Sequence, residues 1–260
     1  CFQSKRFDLY REYARKLIDQ GKAYEKDGAI FFRYEFSKVE IDDVIRGKIV
    51  FEELPKEEDV ILKSDGSPAY NFCCVVDDAL LGINLVVRGE DHIPNTPKQI
   101  LMYQALGFDS PRFAHVPMIL SPDGGRLSKR FGATSIREYR LNGYLAKAIA
   151  NYLMFLSWSA KDNREIISLE EAKNVFSLND VNKTGAIFNL DKLNWLNGQY
   201  IRAANIDELT EMIADFFSGR EQENFLADRD YLKKVVELFH PRLVTLSEFF
   251  DKARAFFSDQ

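Results

Sequence analysis

Hydrophobic residues recur at helical spacing near the start of the chain and then give way to short β-type runs. The first pattern predicts an amphipathic helix over residues 4–20, with Ser4 as its cap and Gly21 at its end. The apolar positions are Tyr10, Tyr13, Ala14, Leu17 and Ile18. Residues 29–62 contain "AIFFRYEF", "IVFEEL" and "DVILKS" between polar turns, which predicts several short strands.

The pattern between residues 60 and 120 alternates between strand and helix. "INLVVRGED" predicts an apolar strand that ends in charge, and "TPKQILMYQALG" predicts a helix closed by Gly107. "RFAHVPMIL" predicts another strand, and we also expect Cys73 and Cys74 to lie on a strand with their side chains on opposite faces. This alternation favours an α/β fold with a parallel sheet.

From Ser135 onward nearly every apolar run has helical spacing. Ser135 with Glu138, and Ser168 with Glu171, stand at the spacing of a capping box. "GYLAKAIANYLMFLSW", "LDKLNWLNGQYIR" and the stretches around 206–217 and 229–256 continue the pattern. The last half of the chain is therefore predicted to be all-α.

Composition and charge restrict the class of protein. The 260 residues are 46% hydrophobic and carry a formal net charge of −5, which argues against indiscriminate nucleic-acid binding but allows a tRNA held by local basic patches. Three cysteines give no disulfide framework and favour a reducing compartment, the cytoplasm. No apolar run approaches the ~18 residues that cross a bilayer. His92 and His115 lie far from any further His or Cys cluster, so we expect no zinc.

The loop "SPDGGRLSKRFGATS", residues 121–135, combines three glycines with three basic residues after a predicted strand. Exposed backbone N–H groups and positive charge suit a polyphosphate whose charge grows during reaction. The spacing is not that of a Walker A loop. A solvated basic turn is the alternative. A second strand ends in "VVRGEDH", and in open α/β sheets ligands bind beyond such strand ends.

The string "RLSKR" resembles the KMSKS signature of class I aminoacyl-tRNA synthetases, in the form found in glutamyl-tRNA synthetases. "SDGSPAYNFCCVVDDALLGINLVVRGEDHIPNTPKQILMYQALG" is similar to the second half of that family's nucleotide-binding fold, and "GGRLSKRFGATSIREY" to its signature loop and exit helix. "NYLMFLSWS" and "IFNLDKLNWLNGQYIR" resemble its stem-contact helical domain. The resemblance extends from Phe2 to about Arg202 and implies glutamate, ATP with Mg²⁺, and tRNA(Glu) as ligands.

The resemblance also implies roles for single residues. Lys129 matches the second lysine of the signature and is expected to contact the ATP phosphates as the catalytic residue, while Arg126 replaces the first lysine and changes its donor geometry. The positions that match ATP-binding ones are Asp91, Ile119, Arg126, Leu127, Ser128, Lys129 and Arg130. The positions that match glutamate-binding ones are Tyr70, Cys74 and Arg88.

Structural roles are the alternatives for two of these residues. Arg88 could form an ion pair with Asp77, Asp78 or Glu90, and Tyr70 could pack in the core. A buried arginine is what a carboxylate ligand requires, because the guanidinium can bind it bidentately.

The chain departs from the family pattern in three places. No His-Ile-Gly-His-like first signature is found, so we expect the N-terminal part of the catalytic fold to be missing and this chain alone to be inactive. The insertion between Ala29 and Glu53 is shorter than usual, and no Cys-rich zinc knuckle is present. From the resemblance we expect only part of an anticodon-binding region after Arg202.

The expected architecture is part of a Rossmann-like class I catalytic domain with a short α+β insertion, followed by an all-α region. Its predicted segments are the end of the first catalytic half (1–28), the insertion (29–60), the second half with the signature loop (61–135), the stem-contact domain (136–202) and the start of a helical anticodon-binding domain (203–260). We expect a monomer. A non-catalytic tRNA-binding paralogue, a glutaminyl-tRNA synthetase and a glutamyl-queuosine synthetase remain as alternatives.

Overall fold

The computed structural model describes residues 2–35, 38–54, 58–125, 127, 135–220 and 223–257. It divides into two compact units, Cys1–Met118 with Val181–Lys183, and Ile119–Asp180 with Thr184–Gln260. The first unit mixes helices and small sheets, and the second is mostly helical. Among the described residues, no helix has both the length and the apolarity to span a bilayer.

The first unit begins with helix α1, Phe7–Asp19, whose buried face contributes Tyr10, Ala14 and Leu17 to the core. The helix starts later than predicted, and Ser4 does not cap it, because Ser4 lies in a short 3-10 turn and Arg6 takes the cap position without a side-chain bond. Gly21 ends the segment with a φ of +74°, as its sequence position predicted.

Five short strands follow α1 and form two antiparallel arrangements. Strand β2 (Ala29–Arg33) lies between β1 (Ala23–Lys26) and β5 (Glu58–Leu62), and β3 (Val39–Asp43) pairs with β4 (Gly47–Phe51) in a hairpin. The burial of β3 alternates strictly, with Val39, Ile41 and Asp43 facing inward. An aspartate in the last of these inward positions is unusual, since carboxylates are seldom fully buried without partners.

The predicted strand–helix–strand unit is present. Strands β6 (Leu85–Gly89) and β7 (Arg112–Val116) pair in parallel, and helix α3 (Thr96–Leu106) connects them. Gly107 closes α3 in the left-handed conformation, as predicted. Helix α2 (Tyr70–Leu80) precedes β6 and occupies the segment expected to be a strand. The α/β prediction is confirmed.

The second unit contains a two-residue parallel pair and seven helices among the described residues. Pro117 and Met118 separate β7 from β8 (Ile119–Leu120), which pairs with β9 (Ala186–Ile187). Both predicted capping boxes are formed, at Ser135 and at Ser168. The helices are α4 (Ile136–Leu141), α5 (Ala146–Ser157), α6 (Leu169–Val175), α7 (Leu190–Ala203), α8 (Ile206–Phe217), α9 (Arg229–Phe239) and α10 (Glu248–Ala253).

The pattern around 229–256 does not form one helix. A 3-10 turn at His240–Arg242 interrupts it, because Pro241 supplies no backbone N–H for a continuing helix. The cores of the helical unit are apolar and aromatic. Tyr139, Tyr152 and Phe188 form one cluster with Leu193, while a second cluster extends from Ile201 to Phe257.

Candidate amino-acid site

The parallel strands β6 and β7 bring two long polar side chains side by side. Their register places Arg88 opposite His115. Thr96, the first residue of α3, is fully buried beside them. These residues lie at the carboxyl ends of the strands, where open α/β sheets bind their ligands.

The Arg88 guanidinium is half-buried and fixed by neutral acceptors. Its Nε donates to His115 Nε2 at 3.1 Å, and its Nη2 donates to Thr96 Oγ1 at 2.8 Å. The guanidinium carbon also lies 5.3 Å from the centre of the Phe113 ring. An arginine has five N–H donors, and neither of these hydrogen bonds uses the Nη1 hydrogens. The side chain is therefore oriented while donors remain for a ligand.

His115 connects Arg88 to a buried carboxylate. His115 is 0% exposed and Asp43 is 2% exposed. His115 Nδ1 lies 2.6 Å from Asp43 Oδ2, and the His115 backbone N–H donates to the same carboxylate at 3.1 Å. Asp43 also accepts from the backbone N–H groups of Ile45 and Arg46, at 3.0 and 2.8 Å. The carboxylate thus has hydrogen bonds on both oxygens, as a buried charge requires.

The protonation states follow from burial and these bonds. Burial raises the pKa of Asp43, but hydrogen bonds from the Arg46 backbone and from His115 outweigh it, so the Asp43 pKa lies below its ordinary value. Burial lowers the pKa of His115, against the hydrogen bond to Asp43, which raises it. The pair therefore consists of an ionised Asp43 and a neutral His115 at pH 7.

Glu90, one residue after β6, has a different partner. It forms an ion pair with Arg46, and its other oxygen accepts from the Met118 backbone N–H at 2.7 Å. Asp77 is likewise occupied, since Arg6 approaches it at 2.9 Å and Tyr10 donates to it at 2.8 Å. Neither carboxylate pairs with Arg88, so two of the three structural ion pairs considered for Arg88 are wrong.

Asp78 is the third of these candidates. Its charge raises the pKa of Arg88, but the two side chains do not form an ion pair. Burial lowers the pKa of Arg88, and Tyr70, Cys74 and Asp78 oppose this change. Over the described ranges, no carboxylate forms an ion pair with this half-buried arginine. A cation in such surroundings suits an anionic ligand.

Helix α2 presents the other two predicted glutamate contacts. Tyr70 is its first residue, and Cys74 follows one turn later on the same side. Both act on the pKa of Arg88, so the structure brings the three predicted residues together. Tyr70 is 50% exposed, which excludes core packing as its role. Its hydroxyl lies 3.4 Å from His92 Nδ1.

The strand predicted for Cys73 and Cys74 is wrong. The run of cysteines and valines is typical of strands, but Phe72, Cys73 and Val76 recur at helical spacing and are all buried. Burial of that face outweighs the small helix penalty of β-branched residues. Both cysteines are free thiols. The adjacent Cys73 and burial raise the pKa of Cys74, so its thiol is uncharged at pH 7.

A cavity of about 870 Å³ opens beside Tyr70. Tyr70 is the member of the predicted glutamate set that lines it. Lys98 and Asp59, which form an ion pair at 2.5 Å, stand on its wall. The remaining lining residues are Phe31, Glu58, Val60, Ala69, Asn71 and Met102.

The predicted ATP-binding residues are placed only in part. Asp91 lies exposed in the 3-10 turn Glu90–Asn95 of the first unit. Ile119 and Leu127 lie in the second unit, where the Leu127 N–H donates to the Ile119 carbonyl at 3.4 Å. Between them, Gly124 turns the chain back at a φ of +82°. The other predicted contacts lie outside the described residues, namely Arg126, Ser128, Lys129 and Arg130.

Sequence reasoning missed Asp43, Thr96 and the role of His115. The signal was present as polar residues inside apolar elements, such as the histidine in "RFAHVPMIL" and the inward-facing aspartate that ends β3. In the sequence, His115 bears only on the question of a zinc site, and no other role is predicted for it. Among the described residues, no group of three or more His, Cys, Asp or Glu side chains is placed to hold a metal ion.

The chain is similar to known proteins over most of its length. Residues 31–195 match the family model described as tRNA synthetases class I (E and Q), catalytic domain. The glutamate–tRNA ligase of Aquifex aeolicus is 44% identical over 304 aligned positions, which cover 99% of this chain and 64% of that protein. Glutamate–tRNA ligase 2 of Caldicellulosiruptor saccharolyticus is 41% identical, with 99% and 63% covered.

A solved structure is also similar. The crystal structure of a glutamate tRNA ligase from Elizabethkingia meningosepticum, in complex with its amino acid, matches with a TM-score of 0.77 and 30% identity. The match covers 94% of this chain and 51% of that one. The chain thus spans between about half and two thirds of the length of these relatives.

Proposed function

The chain belongs to the class I tRNA synthetases of the glutamyl and glutaminyl type, and on that premise we propose that it is part of a glutamate–tRNA ligase. In the proposed reaction glutamate attacks ATP, which forms glutamyl-adenylate and displaces pyrophosphate. The glutamyl group then passes to tRNA(Glu) as AMP leaves. The chain matches about 64% of its A. aeolicus relative, so the reaction is proposed for the protein that its gene encodes.

One observation carries the choice of amino acid. Arg88 is half-buried, is oriented by neutral partners and has no carboxylate ion pair within the described part of the chain. The side-chain carboxylate of glutamate would accept its remaining N–H donors, and the charge-assisted pair would be strong in this partly desolvated place. Glutamine offers no charge to Arg88, so its binding would leave the cation uncompensated.

Tyr70 and Cys74 complete the proposed glutamate contacts. Both lie beside Arg88. Both are uncharged at pH 7, since tyrosine and cysteine ordinarily titrate above that pH, and burial and neighbouring groups raise both pKa values further. An uncharged thiol next to an arginine is a weak nucleophile. Cys74 is therefore not proposed as a nucleophile, and catalysis would consist of positioning and charge stabilisation.

The signature loop supplies the proposed phosphate contacts. Lys129 would stabilise the negative charge that develops as pyrophosphate leaves, together with Arg126, Ser128 and Arg130, its neighbours in the sequence. Asp91, Ile119 and Leu127 would flank the nucleotide. Mg²⁺ is expected to arrive with ATP, because magnesium binds mainly through phosphate oxygens and water. No zinc is expected.

The helical residues 136–202 are the proposed stem-contact region, and residues 203–260 the start of an anticodon-binding region. We further expect a cytoplasmic monomer. Comparison favours glutamate ligases over the glutamine-specific alternative, since the curated relatives cited above carry that name.

The proposal is tested by charging. The protein as its gene encodes it is incubated with ATP, Mg²⁺, tRNA(Glu) transcript and radiolabelled glutamate or glutamine. We expect tRNA-bound glutamate and at least about 10²-fold less glutamine at equal concentration. Preferential charging with glutamine, or charging with neither amino acid while tRNA(Glu) binds, would support the alternative functions.

A further inference from the structure

We propose that His115 and Asp43 are positioning residues for the amino-acid substrate: together they hold Arg88 in the orientation that meets a carboxylate. The inference rests on the proposed function, since it takes Arg88 as the glutamate contact. The hairpin β3–β4, which precedes both β6 and β7 in the chain, thereby forms part of that site.

The contact with Arg88 determines the tautomer of His115. Arg88 Nε carries a hydrogen and can only donate, so His115 Nε2 must accept at this 3.1 Å contact. The imidazole proton then lies on Nδ1 and is donated to Asp43 Oδ2 at 2.6 Å. The order Asp43, His115, Arg88 is therefore a directed chain of hydrogen bonds.

The hairpin turn is fixed to β7 and to the segment just after β6. The Val44 N–H donates to the Phe113 carbonyl on β7 at 2.9 Å, and Asp43 binds His115 on the same strand. The Arg46 side chain forms an ion pair with Glu90, just beyond β6. Contacts to β7 and to the turn after β6 restrict the hairpin, so Asp43 is a fixed partner for His115.

The hydrogen bonds to His115 and Thr96 leave one edge of the Arg88 guanidinium open. His115 and Thr96 take the Nε and one Nη2 hydrogen, which form the side-on edge of the guanidinium. The end-on edge, made by Nη1 and the second Nη2 hydrogen, keeps the parallel geometry that binds a carboxylate with two hydrogen bonds. If the acceptor at His115 were lost, Arg88 could rotate and the bidentate geometry would be disturbed.

Two substitutions of His115 separate positioning from folding. In His115→Asn the amide occupies the Nδ1 position and keeps a donor for Asp43, but nothing reaches Arg88. In His115→Gln the longer amide places its oxygen near the Nε2 position and keeps an acceptor for Arg88. Asp43 then loses its side-chain donor but retains three backbone N–H groups. His240→Asn makes the same exchange in the other unit and is the matched control.

The assay is tRNA(Glu) charging by the gene-encoded protein, with KM for glutamate, KM for ATP and kcat determined for each variant. We expect His115→Asn to raise the KM for glutamate by about 10–100-fold, the range for a misplaced substrate contact, with smaller changes in kcat and in the KM for ATP. His115→Gln should restore the KM for glutamate to within a few-fold of wild type. His240→Asn should leave it unchanged.

Other outcomes would overturn the inference in distinguishable ways. If folded His115→Asn keeps the wild-type KM for glutamate while Arg88→Gln raises it, Arg88 binds glutamate without this support and the positioning role is wrong. The same conclusion follows if both His115 variants impair glutamate and ATP alike. If Arg88→Gln itself leaves the KM for glutamate unchanged, the glutamate role proposed for Arg88 is wrong, and so is the inference that rests on it.

Discussion

Single side chains decide what this site can bind. The sequence resemblance identified Tyr70, Cys74 and Arg88, and the structure places these three together. It could not identify Asp43 as the partner of His115, because 72 residues separate them and no local pattern reports such a contact. A polar residue in an apolar strand predicts only that some partner exists.

The pair Asp43–His115 predicts how stability depends on pH. Burial lowers the pKa of His115 in the folded protein, so between that pKa and about 6.5 the unfolded chain binds more protons. The stability that the neutral His115 contributes to the folded state is complete above about pH 6.5 and is lost as the pH falls below that value. The lowered pKa of Asp43 acts in the same direction at still lower pH. Arg46 and Arg88, which also face His115, disfavour its protonation further.

The expected result is a midpoint of thermal unfolding that decreases from pH 7.5 to 5.5. His115→Gln should flatten that decrease, since the amide does not titrate. His240→Gln removes an imidazole elsewhere and serves as the control. Equal pH slopes in wild type and His115→Gln would contradict the assignment of a neutral, buried His115.

Helices and strands were predictable where local chemistry sets them. The capping boxes at Ser135 and Ser168 formed as expected, because their partners lie three residues away. The segment after Ala69 was wrongly predicted as a strand, since its helical conformation depends on burial against other elements. The register of β6 on β7, which creates the site, also depends on contacts distant in the chain.

At Gly143, in the turn after α4, the backbone leaves no room for a larger side chain. Its φ is +80°, and a Cβ there would lie 2.5 Å from the Ser247 nitrogen and 2.9 Å from the Leu246 nitrogen. Gly143→Ala should therefore lower the free energy of unfolding by roughly 3 kcal/mol or more. Gly107→Ala, at φ +72° with open space around it, should cost only about 1 kcal/mol. Chemical denaturation of both variants is the measurement, and equal losses would contradict the clash.

Over the entire chain, the order of motifs predicted the family and the mixed α/β fold, and comparison confirmed both. The partition into two compact units could not be predicted with its boundaries, because the short segment Val181–Lys183 belongs with the first unit although its neighbours belong with the second. The unit to which this segment belongs depends on tertiary contacts, and these leave no periodic pattern in the sequence.

Lys129, in the signature loop at residues 121–135, is the residue expected to act in the chemical step. Lys129→Ala should lower the rate of glutamyl-adenylate formation by roughly 10²–10³-fold, the scale for losing one donor to the transition state. Glutamate-dependent ATP–pyrophosphate exchange with tRNA(Glu) present measures this rate. Lys16→Ala, which replaces an exposed lysine on α1, is the control and should keep the wild-type rate. A near-normal rate in Lys129→Ala would show that the lysine does not contact the phosphates.

The most direct test of the account concerns Arg88 as the contact for the glutamate side chain. Charging of tRNA(Glu) is compared for wild type, Arg88→Lys and Arg88→Gln, with KM determined for glutamate and for ATP. We predict that Arg88→Gln raises the KM for glutamate by about 10²-fold or more while the KM for ATP stays within a few-fold. Arg88→Lys keeps the charge but loses the bidentate geometry and should fall between the two. Wild-type glutamate kinetics in folded Arg88→Gln would contradict the account.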